Sequence, residues 1–194
     1  MSISWLLRFG AICGVLTGLS LGIPGAIEAF IGETPATSFI AGTGAALAAP
    51  AVTAFHLRQC AAAGRLGAIA YAVNVVGLGL FSGVAFSLNV VVFFLEESTA
   101  AMVLKGPTRL ALLGSVVVFV AGVALFGLSM FRARVLPWPA AAGYGFFLPL
   151  LAVLAPLPDT PLTSVVHLLG CASLIWLSAA TWAGAAKSGE GHRP

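Results

Sequence analysis

The chain has 194 residues, of which 60% are hydrophobic and only 8% are charged, with a mean hydropathy of +1.07. A water-soluble domain carries about 25% charged residues, so this composition excludes a soluble globular protein and predicts one whose surface is mostly in lipid. The net charge of +3 does not indicate a nucleic-acid partner, because the basic residues are spread over short loops and form no patch.

Apolar segments of about 20 residues predict transmembrane helices. We therefore expect an all-α, polytopic membrane helical bundle forming a single domain, 1–194. Charged, proline-rich or glycine-rich breaks separate the helices, and such short connections make sequential neighbours antiparallel. The predicted helices cover residues 9–27, 38–57, 66–95, 110–131, 138–155 and 162–186, and residues 187–194 form a polar cytoplasmic tail.

The first predicted helix carries an unbroken G-x-x-x-G series, the pattern of a glycine zipper. Its members are Gly10, Gly14, Gly18 and Gly22. Spaced by four residues, they share one face, and this face predicts close packing against another helix. The second predicted helix is itself rich in Ala and Gly and is the favoured partner, while a helix of another subunit stays open as the alternative. Glu28 follows at the outer end of this first helix.

The third predicted helix combines unusual length with a polar stripe. At 100° per residue, Tyr71, Asn74, Ser82 and Asn89 fall on one face of it. A helix of this length must tilt or protrude from the bilayer. In the segment that follows, the apolar run 100–104 is expected to lie along the membrane interface.

Prolines and a second polar stripe mark the remaining helices. Pro50 in the second helix and Pro149 in the fifth are expected to kink them, because each removes an internal hydrogen bond. The stripe of the sixth helix comprises Ser164, His167, Cys171, Ser178 and Thr181.

If the two stripes face each other, they line a small polar pocket in the outer half of the membrane. The candidate pocket residues are Asn74, Asn89, His167 and Glu28. Intramembrane polar groups are the natural candidates for function. The alternative is purely structural, since Asn, Ser and His also hold bundles together through interhelical hydrogen bonds worth about 0.6 kcal/mol each.

The distribution of charges predicts the orientation. Short loops rich in Lys and Arg remain in the cytoplasm. With six helices, one side of the membrane receives Arg8, Arg58, Arg65, Arg132, Arg134, Lys187 and Arg193, and the other receives only Lys105 and Arg109 among the basic residues. Both the amino and the carboxyl terminus are therefore expected in the cytoplasm, and most acidic residues outside.

No pattern predicts catalysis, a metal or a cofactor. The three histidines are scattered, and no H-x-x-x-H, P-loop or G-x-S-x-G sequence is present. A membrane-embedded enzyme would depend on Cys171 and His167, an i, i+4 pair that is usually incidental. We therefore expect a protein that is not an enzyme and that has no cofactor, no metal site and no catalytic residue.

The sequence around the fourth and fifth helices also carries a resemblance. Phe126-Gly127 followed by Arg132-Ala133-Arg134-Val135-Leu136-Pro137-Trp138 resembles a passage of small bacterial integral membrane proteins, in which an arginine loop precedes a Leu-Pro-Arg-Trp-like helix start. The starts at Arg8 and Arg65 and the Ala- and Gly-rich composition resemble actinobacterial members. That family, one of unknown function, implies six helices in the cell membrane, and no functional residue is carried over from it.

Two functions follow from these expectations. The favoured one is a non-enzymatic protein whose role is packing, with the lipid bilayer as its environment and a homo-oligomer or another membrane protein as its partner. The alternative is a small passive carrier or channel for a neutral or weakly polar solute, acting through a pocket between the third and sixth helices.

Overall fold

The computed structural model describes residues 3–155 and 160–190, and the side chains of these residues up to 186. The prediction of an all-helical protein is confirmed for the described residues, which contain no strand. The α-helices are α1 (Ile3–Ile31), α2 (Pro35–Gly44), α3 (Ala48–Phe86), α4 (Glu97–Val103), α5 (Pro107–Ala133), α6 (Trp138–Leu154) and α7 (Pro161–Glu190). A 3₁₀ turn, Ala45–Leu47, joins α2 to α3, and a π-helical turn, Ser87–Val91, with a 3₁₀ turn, Val92–Phe94, extends α3.

Helix α3 reverses direction at one residue. Gly64 has φ 55° and ψ −145°, a backbone conformation that is essentially restricted to glycine. Contacts on either side of Gly64 pair antiparallel arms, since the Thr53 and Tyr71 hydroxyls lie 3.1 Å apart and the Ser82 hydroxyl donates to the Ala45 carbonyl over 3.1 Å. The predicted second and third helices are therefore two arms of a helical hairpin.

Several predicted boundaries are wrong. The expected break at 58–65 is helical except at Gly64, because Arg, Gln and the alanines at 61–63 are good helix formers. α1 continues to Ile31, and the first half of the expected tail, 187–190, belongs to α7. Each of these helices continues beyond its apolar segment into polar residues, and a prediction from hydropathy alone does not detect such polar ends. Residues 191–194 of the expected tail, and 156–159 of the expected loop, lie outside the described residues.

The region of Pro50 shows how a proline is accommodated. Pro50 has no N–H to donate to the Ala46 carbonyl one turn earlier, and at this position the helical arm changes to the 3₁₀ turn Ala45–Leu47. In contrast, α6 is one continuous helix that contains Pro149. The first arm of the hairpin, which is the predicted second helix, is thus interrupted near its proline, as expected from the sequence.

The glycine series of α1 packs inside the chain. All four glycines are buried. A Cβ at Gly10 would collide with Ala54 and the Pro50 carbonyl, whereas at Gly14 and Gly22 it would collide with Ser178 and Cys171 of α7. Helix α1 therefore packs most extensively against α7, and it also contacts the expected second-helix partner, at Gly10 and again at Ser20, which packs against Gly44.

The bundle has two chemically different ends. Arg8, Arg58, Arg132 and Arg134 lie at one end, where α1 begins and α5 and α7 end; we call it the basic end. Glu28 and Glu33 lie at the opposite end, near the start of α7; we call it the acidic end. By length and composition, four described segments can each cross a membrane: Ile3–Ile31, Pro35–Phe94, Pro107–Ala133 and Pro161–Ala186. Because the second of these folds back at Gly64 and α6 is a shorter apolar helix of 17 residues, the described chain has five long apolar arms and one shorter one, six in all.

Candidate functional site: a cavity at the acidic end

A cavity of about 500 Å³ occupies the half of the bundle toward the acidic end. Side chains from α1, α2, α3, α5, α6 and α7 form its wall. Of the four candidate residues predicted from sequence, Glu28, Asn89 and His167 line this cavity, although they lie far apart in the chain. The fourth, Asn74, is one layer deeper, beneath the cavity floor.

Two carboxylates mark the mouth. Glu28 is half-buried in the last turn of α1, and Glu33 is exposed in the connection to α2. Thr34 caps α2 through a capping box with Thr37, and the Ser38 hydroxyl donates to the Glu33 carboxylate. The cap holds the start of α2, and with it the position of Glu33 at the mouth.

Asn89 lies in the π-helical turn Ser87–Val91, near the end of the second arm of the hairpin. Its side-chain amide donates to the Ala85 carbonyl over 2.9 Å, so its Oδ1 stays available as an acceptor. Gly42 of α2 packs directly against Asn89 and Val90. π-Helical turns frequently occur at functional sites, and this one brings an amide to the cavity wall.

His167 lies on the opposite wall, contributed by α7. Its Nδ1 is 2.8 Å from the Thr163 carbonyl. A carbonyl can only accept, so Nδ1 carries the hydrogen and Nε2 remains to bind a partner. The imidazole lies over Gly25, where a side chain would collide with it, and the Ser164 hydroxyl donates to the Gly25 carbonyl over 2.6 Å. The close approach of α1 and α7 thus fixes the histidine.

The floor contains a residue that was not predicted from the sequence. Tyr144 of α6 is 2% exposed, lines the cavity and accepts a hydrogen bond of 2.8 Å from the Asn74 amide. The Asn74 Oδ1 has no hydrogen-bond partner among the described residues. The one signal that could have indicated Tyr144 is that, apart from Trp138 at the helix start, it is the only hydrogen-bonding side chain of α6.

Within the described residues, the two polar stripes meet only at the cavity. Ser82 and Asn89 reach the cavity wall from the second arm of the hairpin, and His167 reaches it from α7. Deeper along α7, the Ser178 and Thr181 hydroxyls donate to carbonyls of their own helix over 2.7 and 2.8 Å. The stripe of α7 therefore faces mainly α1. The stripe in the second arm of the hairpin instead contacts α6 and the first arm. Its residue Tyr71 contacts the first arm of the hairpin, stacking on His56 at 4.2 Å.

The chemistry of the wall is mostly apolar with a few polar groups. Leu78, Phe81, Phe119, Leu148 and Leu174 supply much of the surface, and no Lys or Arg is among its described lining residues. Apolar walls with a few placed polar groups are typical of small-molecule sites. No group of three residues able to hold a metal ion occurs in the described part of the chain. The arrangement can bind a small, mainly apolar molecule that carries a polar group.

Of the possible nucleophile–base pair Cys171 and His167, only His167 lines the cavity. Cys171 packs against Gly22 of α1 and is not one of the lining residues. His167 presents its ring to the cavity while the thiol is held in the helix contact. This geometry does not support the two as a catalytic pair.

No family model, curated protein or solved structure matches this chain. The resemblance to small actinobacterial membrane proteins therefore stays a prediction.

Proposed function

We propose that this protein is a six-span membrane protein, with its basic end in the cytoplasm, that acts as a small passive carrier for a neutral or weakly polar solute. The observation that carries this proposal is the cavity of about 500 Å³, which joins Glu28, Asn89 and His167 in one mostly apolar wall. This volume is within the usual range of small-molecule sites, about 300–1,000 Å³.

Membrane insertion is supported by the surface of the bundle. Large apolar side chains cover its outside, for example Ile12 at 50%, Val117 at 67% and Phe146 at 63% exposure. In water such a surface would drive aggregation, whereas hydrocarbon is a suitable solvent for it. The excess of arginine at the basic end supports a cytoplasmic position for that end.

A carrier also needs a route beyond the cavity floor, and polar side chains continue in that direction. Below Tyr144 and Asn74, the buried Gln59 amide and the Ser129 hydroxyl have no hydrogen-bond partner among the described side chains. Buried polar groups of this kind usually bind water. These groups lead from the cavity toward the basic end and support a closed inner half of a solute path.

The packing hypothesis receives less support from the same structure. It was motivated by the glycine series of α1, and that face is covered by α7 and α3 within one chain. A role in association would therefore need another surface. Association with a partner stays a prediction, and crosslinking in native membranes tests it.

The carrier proposal is tested by solute flux. Purified protein in liposomes is exposed to a gradient of glycerol or xylitol, and vesicle volume is followed by stopped-flow light scattering. We expect faster solute entry than in empty liposomes. We expect Asn89→Leu combined with His167→Ala to abolish the increase, because these changes remove two polar groups of the wall.

The control keeps the number of changes but moves them out of the cavity. Ser115→Ala combined with Thr43→Ala removes hydroxyls that donate to carbonyls of their own helices and are not among the cavity-lining residues. We expect wild-type flux from this variant. Equal flux from wild type, the double cavity variant and empty liposomes contradicts the carrier proposal.

A further inference from the structure

A second pocket lies at the opposite end of the molecule, separate from the carrier cavity. Its volume is about 660 Å³, and its wall includes Arg58, Arg134, Leu136, Trp138 and Gly184. These residues come from the first hairpin arm, the α5–α6 connection, the start of α6 and α7. No carboxylate is among its described lining residues, so two arginines line a concave site without an acidic counter-ion among these residues.

The Arg58 side chain is held in place by α7. Its guanidinium lies over Gly184, where an added Cβ would come within 2.8 Å of the Arg58 Cζ. The Nε of Arg58 is buried and has no hydrogen-bond partner among the described residues. This packing fixes the side chain of a residue that lines the pocket, and an unpaired buried donor is costly.

The Arg134 side chain is positioned from the other side of the pocket. Arg134 follows the last residue of α5 as its C-cap, with φ 55° and ψ 20°, and its N–H donates to the Met130 carbonyl over 3.2 Å. Its guanidinium lies over the Phe131 ring, 5.1 Å from the ring centre. A left-handed backbone is unusual for arginine, and here it turns the chain so that Arg134 and Trp138 lie in one wall.

The chemistry of this wall fits a phosphate group attached to an apolar body. Guanidinium groups form charge-assisted, often bidentate hydrogen bonds to phosphate. Leu136, Ala180 and the half-exposed Trp138, 52% accessible, supply apolar surface beside it, and Trp is the residue preferred at the headgroup level of a bilayer. A free phosphate ion would use only the arginines and leave the apolar wall without a role.

We propose that this basic pocket binds the phosphate-diester headgroup of an anionic phospholipid from the leaflet at the basic end. Basic pockets between membrane helices on the cytoplasmic side are suited to such headgroups. The proposal depends on membrane insertion but not on carrier activity, since the pocket shares no described lining residue with the cavity.

The test is a binding titration of the full chain in an uncharged detergent, read by native mass spectrometry. Three probes are used: dioctanoyl-phosphatidylglycerol, dioctanoyl-phosphatidylcholine and inorganic phosphate. We expect saturable binding of one phosphatidylglycerol per chain, at least tenfold weaker binding of phosphatidylcholine, and no competition by inorganic phosphate. Competition by inorganic phosphate at equal concentration overturns the assignment to a lipid.

Variants separate the pocket from the general charge of the basic end. Arg58→Gln and Arg134→Gln are each expected to weaken phosphatidylglycerol binding about tenfold, because each removes a charge-assisted contact. Arg65→Gln and Arg132→Gln remove the same charge from exposed positions that are not among the lining residues, and we expect a change of less than about twofold from them. Equal weakening by all four variants overturns the proposal.

Fold measurements and a variant that keeps every charge distinguish a loss of lipid binding from misfolding. Because Arg58 is half-buried, circular dichroism and size-exclusion chromatography accompany every titration, and the exposed Arg134 variant carries the test if Arg58→Gln does not fold. Gly184→Ala keeps every charge but displaces the Arg58 guanidinium. We expect it to weaken phosphatidylglycerol binding as Arg58→Gln does, and unchanged binding by a folded Gly184→Ala protein contradicts the proposed geometry.

Discussion

At Gly22 the backbone of α1 lies so close to α7 that an added Cβ would come within 2.6 Å of the Cys171 Cβ and 2.8 Å of its Sγ. The Cys171 Cβ is attached to the α7 backbone and cannot rotate away. The space between the helices is therefore set by the absence of a side chain at this position. In a membrane such proximity is a main source of helix association, because lipid is as apolar as the helix surface.

We predict that Gly22→Ala lowers the stability of the bundle. The extra methyl group forces α1 away from α7 and is expected to cost about 1–3 kcal/mol, the usual penalty for overpacking. Reversible unfolding in detergent, followed by circular dichroism during an SDS titration, measures the change. Gly79→Ala is the matched control, since no atom lies within 4 Å of a Cβ there; equal stability of the two variants contradicts the prediction.

At the scale of the helices, the reversal at Gly64 depends on one backbone conformation. We predict that Gly64→Ala destabilises the hairpin by about 1–3 kcal/mol, because φ 55° with ψ −145° is a region that a residue with a Cβ rarely adopts. The same SDS titration measures it. Gly83→Ala changes a helical glycine of the same element in open space and is expected to be neutral or slightly stabilising.

The sequence indicated the helical arms better than their ends. Apolar length and the spacing of arginines were enough to predict six arms, since both properties are local. The predicted break at 58–65 is too wide, because charged residues indicate a loop between apolar segments although Arg58 and Gln59 are good helix formers. The reversal needs only Gly64, and one glycine among the 23 of this chain carries no distinguishing pattern.

The candidate site was predictable in part for the same reason. Glu28, Asn89 and His167 could be assigned to one end by counting along each helix. Tyr144 and the shape of the cavity could not, because they depend on which helices are neighbours. The glycines of α1 are compatible with several partners. The structure pairs them with small side chains of α7, Ser178 and Cys171, and a helical wheel of α1 alone does not show this match.

For the whole molecule, the separation of charge between the two ends predicts its orientation. We expect a fluorescent protein fused to the carboxyl end of the full chain to fluoresce in intact cells, because it folds in the cytoplasm. We expect a cysteine introduced at Glu97 of α4, an exposed position at the acidic end, to react with an impermeant thiol reagent from outside. A dark fusion combined with an unreactive cysteine would indicate the opposite orientation and contradict the prediction.

The pairing of α1 with α7 has a consequence for biosynthesis. Gly14 and Gly18 are made early, yet the residues that cover them, Ser178 and Leu174, are translated about 160 residues later. The first hairpin arm is made earlier and already meets α1 at Gly10 and Gly14, so the part of the groove that lacks its partner until α7 is made is the part at Gly18 and Gly22. The α1 groove can therefore close only when α7 has been made, and a chain that stops before α7 differs from the folded protein in leaving these two glycines uncovered.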